Sequence, residues 1–173
     1  MVRVALIIAP DNFRDEEYLE PKKVFEDSGF DVLTASITAR ACHGMFGAKV
    51  LPDTMVGDID EEEVDAVIIV GGKGSPVLSQ SNSVIELLRD AHSKGKVVGA
   101  ICYGGISLAR SGLVKGKTIS AFKDSFSDPI FQENGVFFAS EGVTVLADLR
   151  IVTGQGPEFA RKFGEAIRDI LLE

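Results

Sequence analysis

The sequence predicts an α/β sandwich built round a mostly parallel sheet. Three observations predict it. Apolar runs at residues 2–9, 66–70 and 96–101 are continuous rather than alternating, as strands buried on both faces require. Amphipathic stretches with helical spacing lie between strands. Strand and helix then alternate along the chain, the pattern of a parallel sheet flanked by helices.

Each element has a local reason. After the strand at 2–9, residues 15–28 read as a helix. Asp15, Glu16 and Glu17 put negative charge at its positive end, Pro21 falls early enough to be tolerated, and Gly29 stops it. The capping reading is preferred for Asp15 and Glu16. Residues 30–36 form a second strand. Residues 40–52 read as a small hairpin or excursion, with Gly44 and Gly47 at its turns and Pro52 closing it. The strand at 66–70 runs into Gly71-Gly72-Lys73-Gly74-Ser75-Pro76.

Ser81 or Ser83 is placed to cap a helix ending near residue 93, with Val84, Leu87, Leu88 and Ala91 on one face. Gly95 ends it, the strand at 96–101 follows, and a helix-like stretch covers 103–111. Later strands are expected at 117–121, 136–139, 143–146 and 149–152. Pro157 opens a final helix to residue 172, with Phe159, Phe163, Ile167, Ile170 and Leu171 as its apolar stripe.

Composition bounds the function. The 173 residues read as a single domain, 1–173, with 45% hydrophobic and 25% charged residues, ordinary for a soluble globular protein. No apolar run approaches the roughly 18–20 residues that span a membrane. Charged residues follow the first strand where a signal peptide would carry its cleavage site. With only two cysteines, this predicts a cytoplasmic, reducing location. A net charge of −8 argues against nucleic acid as a partner. The acidic stretch at 58–65 lacks the glycine and ligand spacing of a calcium loop and reads as a solvated turn or short helix. Gly71–Gly74 lacks the spacing of a phosphate loop. No metal or cofactor is therefore expected.

The chemistry gathers at Cys102. In Ala100-Ile101-Cys102-Tyr103-Gly104 a buried strand ends at a cysteine with small residues two before and two after it. That is the grammar of a nucleophile elbow, a tight turn holding its central residue in a strained conformation at the sheet edge. The helix that follows favours a thiolate. Ligands bind at the carboxyl ends of strands in such sheets, and Cys102, Gly71–Gly74 and Asp11–Glu17 all follow strands at that edge. An amide of the Gly71–Gly74 loop and the Tyr103 amide are candidates for an oxyanion hole. Both histidines, His43 and His92, precede Cys102, and neither makes an obvious dyad with it. A carboxyl group from Asp11, Asp15, Glu16 or Glu17, turned inward and kept protonated by burial, is the alternative partner for the sulfur.

These residues resemble the PfpI/ThiJ superfamily. The resemblance covers essentially the whole chain. It rests on Asp11-Asn12-Phe13-Arg14-Asp15-Glu16-Glu17-Tyr18-Leu19-Glu20-Pro21, Asp65-Ala66-Val67-Ile68-Ile69-Val70-Gly71-Gly72, the Cys102 elbow and Thr153-Gly154-Gln155-Gly156-Pro157. It implies a flavodoxin-like, three-layer α/β/α sandwich. It also implies Cys102 as nucleophile, Glu17 as the protonated glutamate beside it, and Gly72 and Tyr103 as oxyanion-hole amides. A homodimer is implied, or a hexamer as in the protease-like branch. That branch has histidine directly after the cysteine, where this chain has Tyr103. The deglycase branch has one near the place of Ala121-Phe122. The leading expectation is a cysteine enzyme acting on small aldehydes or glycated substrates. The alternatives are a redox sensor or stress chaperone working through Cys102 oxidation, and a PfpI-like peptidase.

Overall fold

The computed structural model describes residues 1–173. Its central sheet has seven strands: β1 (Arg3–Ile7), β3 (Asp31–Ser36), β6 (Thr54–Met55), β7 (Ala66–Ile69), β8 (Val97–Ile101), β11 (Val143–Leu146) and β12 (Ile151–Gly154). Their spatial order is β11-β12-β8-β7-β1-β3-β6. All neighbours pair in parallel except β11 with β12. The continuous apolar strands sit at the centre: β7 and β8 are buried at every position.

Helices cover both faces. α1 (Asp15–Asp27) packs with α5 (Ala160–Leu171), and α2 (Asn82–Ser93) packs with α3 (Gly105–Ser111). β8 contacts both pairs, so its residues meet apolar side chains above and below. The predicted α2 stripe of Val84, Leu87, Leu88 and Ala91 is buried. No helix is long and apolar enough to cross a membrane.

Several elements differ from the expectations. Between the first strand and α1 lies a short strand that was not expected, β2 (Asp11–Phe13). It pairs with β4 (Cys42–Gly44), which pairs with β5 (Lys49–Val50), so the expected excursion becomes a three-stranded side sheet. The strands expected at 117–121 and 136–139 shrink to β9 (Thr118–Ile119) and β10 (Phe137–Phe138), which pair only with each other. The last strand starts at Ile151 because Ala147–Leu149 forms a 3-10 turn and Arg150 adopts a left-handed φ of 53°. Helix α4 (Ser127–Glu133) was not expected; seven residues interrupted by Pro129 are too short to declare a helical period. Ser81 is the N-cap of α2, but its hydroxyl meets Ser83 Oγ at 2.9 Å and caps no amide.

Candidate active site

Cys102 closes β8 with φ at 57°, one of three non-glycine residues in the left-handed region. A residue with a side chain tolerates that region only where its surroundings enforce it. A 3-10 turn, Cys102–Gly104, leads into α3. The small residue at Gly104 has a more specific cause than contact across the turn. A Cβ there would lie 2.5 Å from the Ile69 carbonyl oxygen, on the neighbouring strand. The elbow is therefore wedged against β7.

The loop after β7 is held against the start of α1. The Arg14 amide donates to the Gly71 carbonyl at 2.9 Å, and the Gly74 amide donates to the Asn12 carbonyl at 3.0 Å. Gly72 turns through φ 110°, a conformation open to glycine. A Cβ on Gly71 would lie 2.7 Å from Cys102 Cβ, so backbone passes directly beside the thiol. The amides of Gly72 and Tyr103 both lie against the Cys102 sulfur and favour its ionised form.

Glu17 enters from the first turn of α1 and is 0% exposed. Neither of its oxygens finds a donor in hydrogen-bonding geometry. The polar side chain facing it is that of Cys102. Burial raises the Glu17 carboxyl to about 8, so it holds its proton at neutral pH. Burial also pushes the Cys102 thiol up, and a charge on Glu17 pushes it further. The two amides favour the thiolate, but desolvation outweighs them, so the low thiol pKa expected from the helix start is not found. A charge on either group opposes a charge on the other, so the pair titrates as a unit.

Asp15 does not serve as a helix cap. It is buried, and its carboxylate accepts from the amides of Phe46 at 3.0 Å and Ala48 at 2.9 Å. Glu16 binds Arg14 Nε at 2.5 Å. Asp11 is exposed and pairs with Arg40 at 2.8 Å.

An open pocket of about 270 Å³ lies over the pair. Cys102, Glu17, Gly72 and Tyr103 line it, so the four residues singled out in the sequence converge. Arg14, Met45, Lys73, Phe122, Asp124 and Pro157 complete it. Sequence reasoning missed these six as pocket residues. Asp124 was detectable only as a helix signal: its Oδ1 accepts from the amides of Phe126 and Ser127 at the start of α4. Its other oxygen accepts from the Tyr103 hydroxyl. The Tyr103 ring meets Phe122 and Phe126 edge-on, with centroids 5.3 and 5.8 Å apart. Neither histidine lines the pocket; His43 is exposed, 3.7 Å from Asp11.

A parallel α/β sheet with a strained cysteine at its carboxyl edge and a buried carboxyl group beside it defines a nucleophile-elbow protein. The DJ-1/PfpI family model matches residues 2–169, and the chain belongs to that family. It is 37% identical over 163 residues to the uncharacterized protein MJ0967 of Methanocaldococcus jannaschii, covering 94% of this chain and 78% of that one. It is 30% identical over 169 residues to protein/nucleic acid deglycase 2 of Escherichia coli, covering 96% of each. The solved ThiJ/PfpI domain protein of Brachyspira murdochii superposes with a TM-score of 0.92 at 26% identity, covering 98% of this chain and 96% of that one. Other relatives bear different activity names: a putative cysteine protease of Bacillus subtilis and a glutathione-independent glyoxalase of Caenorhabditis elegans.

Proposed function

We propose that this protein is a cysteine-dependent enzyme acting on small reactive carbonyls, of the glyoxalase or deglycase kind. The observation that carries this reading is the buried pairing of Glu17 with Cys102 at the floor of a small pocket that no histidine lines. Glu17 is the proton carrier that such chemistry needs.

In this mechanism the pair first loses the Glu17 proton, and the Cys102 thiol passes its own proton to the Glu17 carboxylate as the sulfur attacks. The sulfur attacks the aldehyde carbon of a 2-oxoaldehyde. A carbon–sulfur bond forms, and the carbonyl electron pair moves to oxygen, which the Gly72 and Tyr103 amides stabilise. Glu17 gives that oxygen its proton, completing a hemithioacetal. The resulting carboxylate removes the hydrogen on the same carbon as a proton, and the electron pair shifts toward the adjacent carbonyl. Reprotonation at the second carbon gives the thioester of a 2-hydroxy acid. Water cleaves the thioester and restores the thiol. The sum is 2-oxoaldehyde plus water to 2-hydroxy acid, with one carbon oxidised and its neighbour reduced.

The test is methylglyoxal consumption with lactate as readout, in wild type, Cys102→Ser and Glu17→Gln. Cys102→Ser is expected to fall to background and Glu17→Gln to lose about 10²-fold. Absence of turnover in the wild type, or full turnover in Glu17→Gln, overturns this mechanism.

The same protonated carboxyl supports a redox reading, because it can donate to an oxidised sulfur. Two peroxide molecules would add two oxygens to Cys102 and leave as two waters, giving a sulfinic acid. Mass spectrometry after mild peroxide tests this; equal oxidation of Cys42 and Cys102, or of neither, rejects it. The peptidase reading has weaker support. Tyr103 stands beside the nucleophile, but burial and Asp124 raise its hydroxyl to about 12, too high for a neutral-pH base.

A further inference from the structure

We infer that Arg14 is an anion anchor of the pocket, and that among carbonyl compounds the site favours those that carry a carboxylate. This rests on the carbonyl-directed reading above and names its substrate class. The carrying observation is how Arg14 is held. Its Nε donates to Glu16 at 2.5 Å, and its guanidinium carbon lies 4.6 Å from the centre of the Phe46 ring. Its two terminal nitrogens bind nothing else in the chain, and the residue lines the pocket. One edge of the guanidinium is thus fixed and one face supported, while the remaining donors are open. A planar fork so restrained suits a carboxylate, and little of its freedom remains to be lost on binding.

The surrounding charges support the same reading. Lys73 lines the pocket, is exposed and forms no ion pair. Asp124 is the opposing charge, but it already accepts from the Tyr103 hydroxyl and two backbone amides. Glu17 is neutral at pH 7, for the reason already given. Lys73 is therefore the pocket charge left without a partner, beside an Arg14 whose terminal nitrogens are free, in a chain whose formal net charge is −8. Arg14 is also the N-cap residue of α1, three residues before Glu17, close enough for its charge to act on both Glu17 and Cys102. An anion held there would keep its reactive carbon near the sulfur. A pocket of about 270 Å³ has room for a compound of a few carbons.

The experiment compares alkylation of Cys102 by iodoacetate and by iodoacetamide, followed by peptide mass spectrometry. Both reagents form a sulfur–carbon bond and expel iodide; they differ in carrying a carboxylate or a neutral amide. The measurement needs no turnover, so it stands or falls separately from the glyoxalase assay. Unassisted thiolates prefer the neutral reagent. In the wild type iodoacetate is expected to react at least as fast as iodoacetamide and to show saturation. Arg14→Gln should lower the iodoacetate rate about tenfold more than the iodoacetamide rate, which reads only the change in the thiol itself. Arg14→Lys should retain part of the preference, and Lys73→Met should weaken it less than Arg14→Gln. The iodoacetamide rate reports whether each variant keeps its elbow. A wild-type preference for iodoacetamide, or an unchanged rate ratio in Arg14→Gln and Arg14→Lys, overturns the assignment.

Discussion

Asp15 and Glu17 are two buried carboxyl groups on one helical turn, and their surroundings are opposite. Asp15 meets two backbone amides from the loop before β5. Glu17 meets none and faces a sulfur. A carboxylate surrounded by donors is a structural tie. A carboxyl group buried without donors keeps its proton and becomes available for chemistry. Residue type and exposure are nearly the same; the supply of N–H groups decides the role.

The largest expected break in this comparison comes from replacing Glu17. The kcat/KM of the wild type should rise as pH passes through about 8, where the pair loses its first proton. Glu17→Gln should lower the plateau by about 10²-fold and move the rise to higher pH, since only the buried thiol then titrates. Stability supplies an independent check. Glu17 has a folded pKa above its unfolded value, so its contribution is fully present below about 4.5 and is lost as pH rises through about 8. Wild type should lose several kcal/mol across that window by denaturant unfolding, and Glu17→Gln should lose much less. A flat wild-type profile would mean that Glu17 is solvated.

Replacing Asp15 sharpens the other side. Asp15→Ala leaves the amides of Phe46 and Ala48 unpaired and should cost ~2 kcal/mol. Turnover should fall only severalfold, through displacement of the neighbouring Met45 at the pocket wall. The smallest effect is expected from Gly44→Ala. A Cβ there would lie 2.6 Å from Asp15 Cγ, so the carboxylate must shift off its amides, at ~1 kcal/mol. If Gly44→Ala and Asp15→Ala each destabilise but their double variant adds the two costs, the shared-tie explanation fails.

The contrast between these two residues also marks what could be read from the sequence. The elbow was legible because its chemistry is local: a strand, a cysteine and small flanking residues lie within five positions. The sheet was legible because strands buried on both faces carry continuous apolar runs. Glu17 could be reached only as one of four acidic residues until the family resemblance singled it out. Asp15 was misassigned because its partners, Phe46 and Ala48, lie some thirty residues away. Phe122 and Asp124 reach the pocket from the segment before α4, and nothing in its own neighbourhood places that segment at the sheet edge. The direction of the Cys102 shift was likewise hidden, since desolvation depends on packing from the whole fold.

Cys42 has a practical consequence. It is 0% exposed, and its thiol reaches only the Arg40 carbonyl, 3.6 Å away. The native molecule therefore offers a colorimetric thiol reagent one sulfhydryl, and the unfolded chain offers two. The slow appearance of the second equivalent would time the rare openings of the side sheet. The chain thus carries its own clock for local unfolding, without any attached dye.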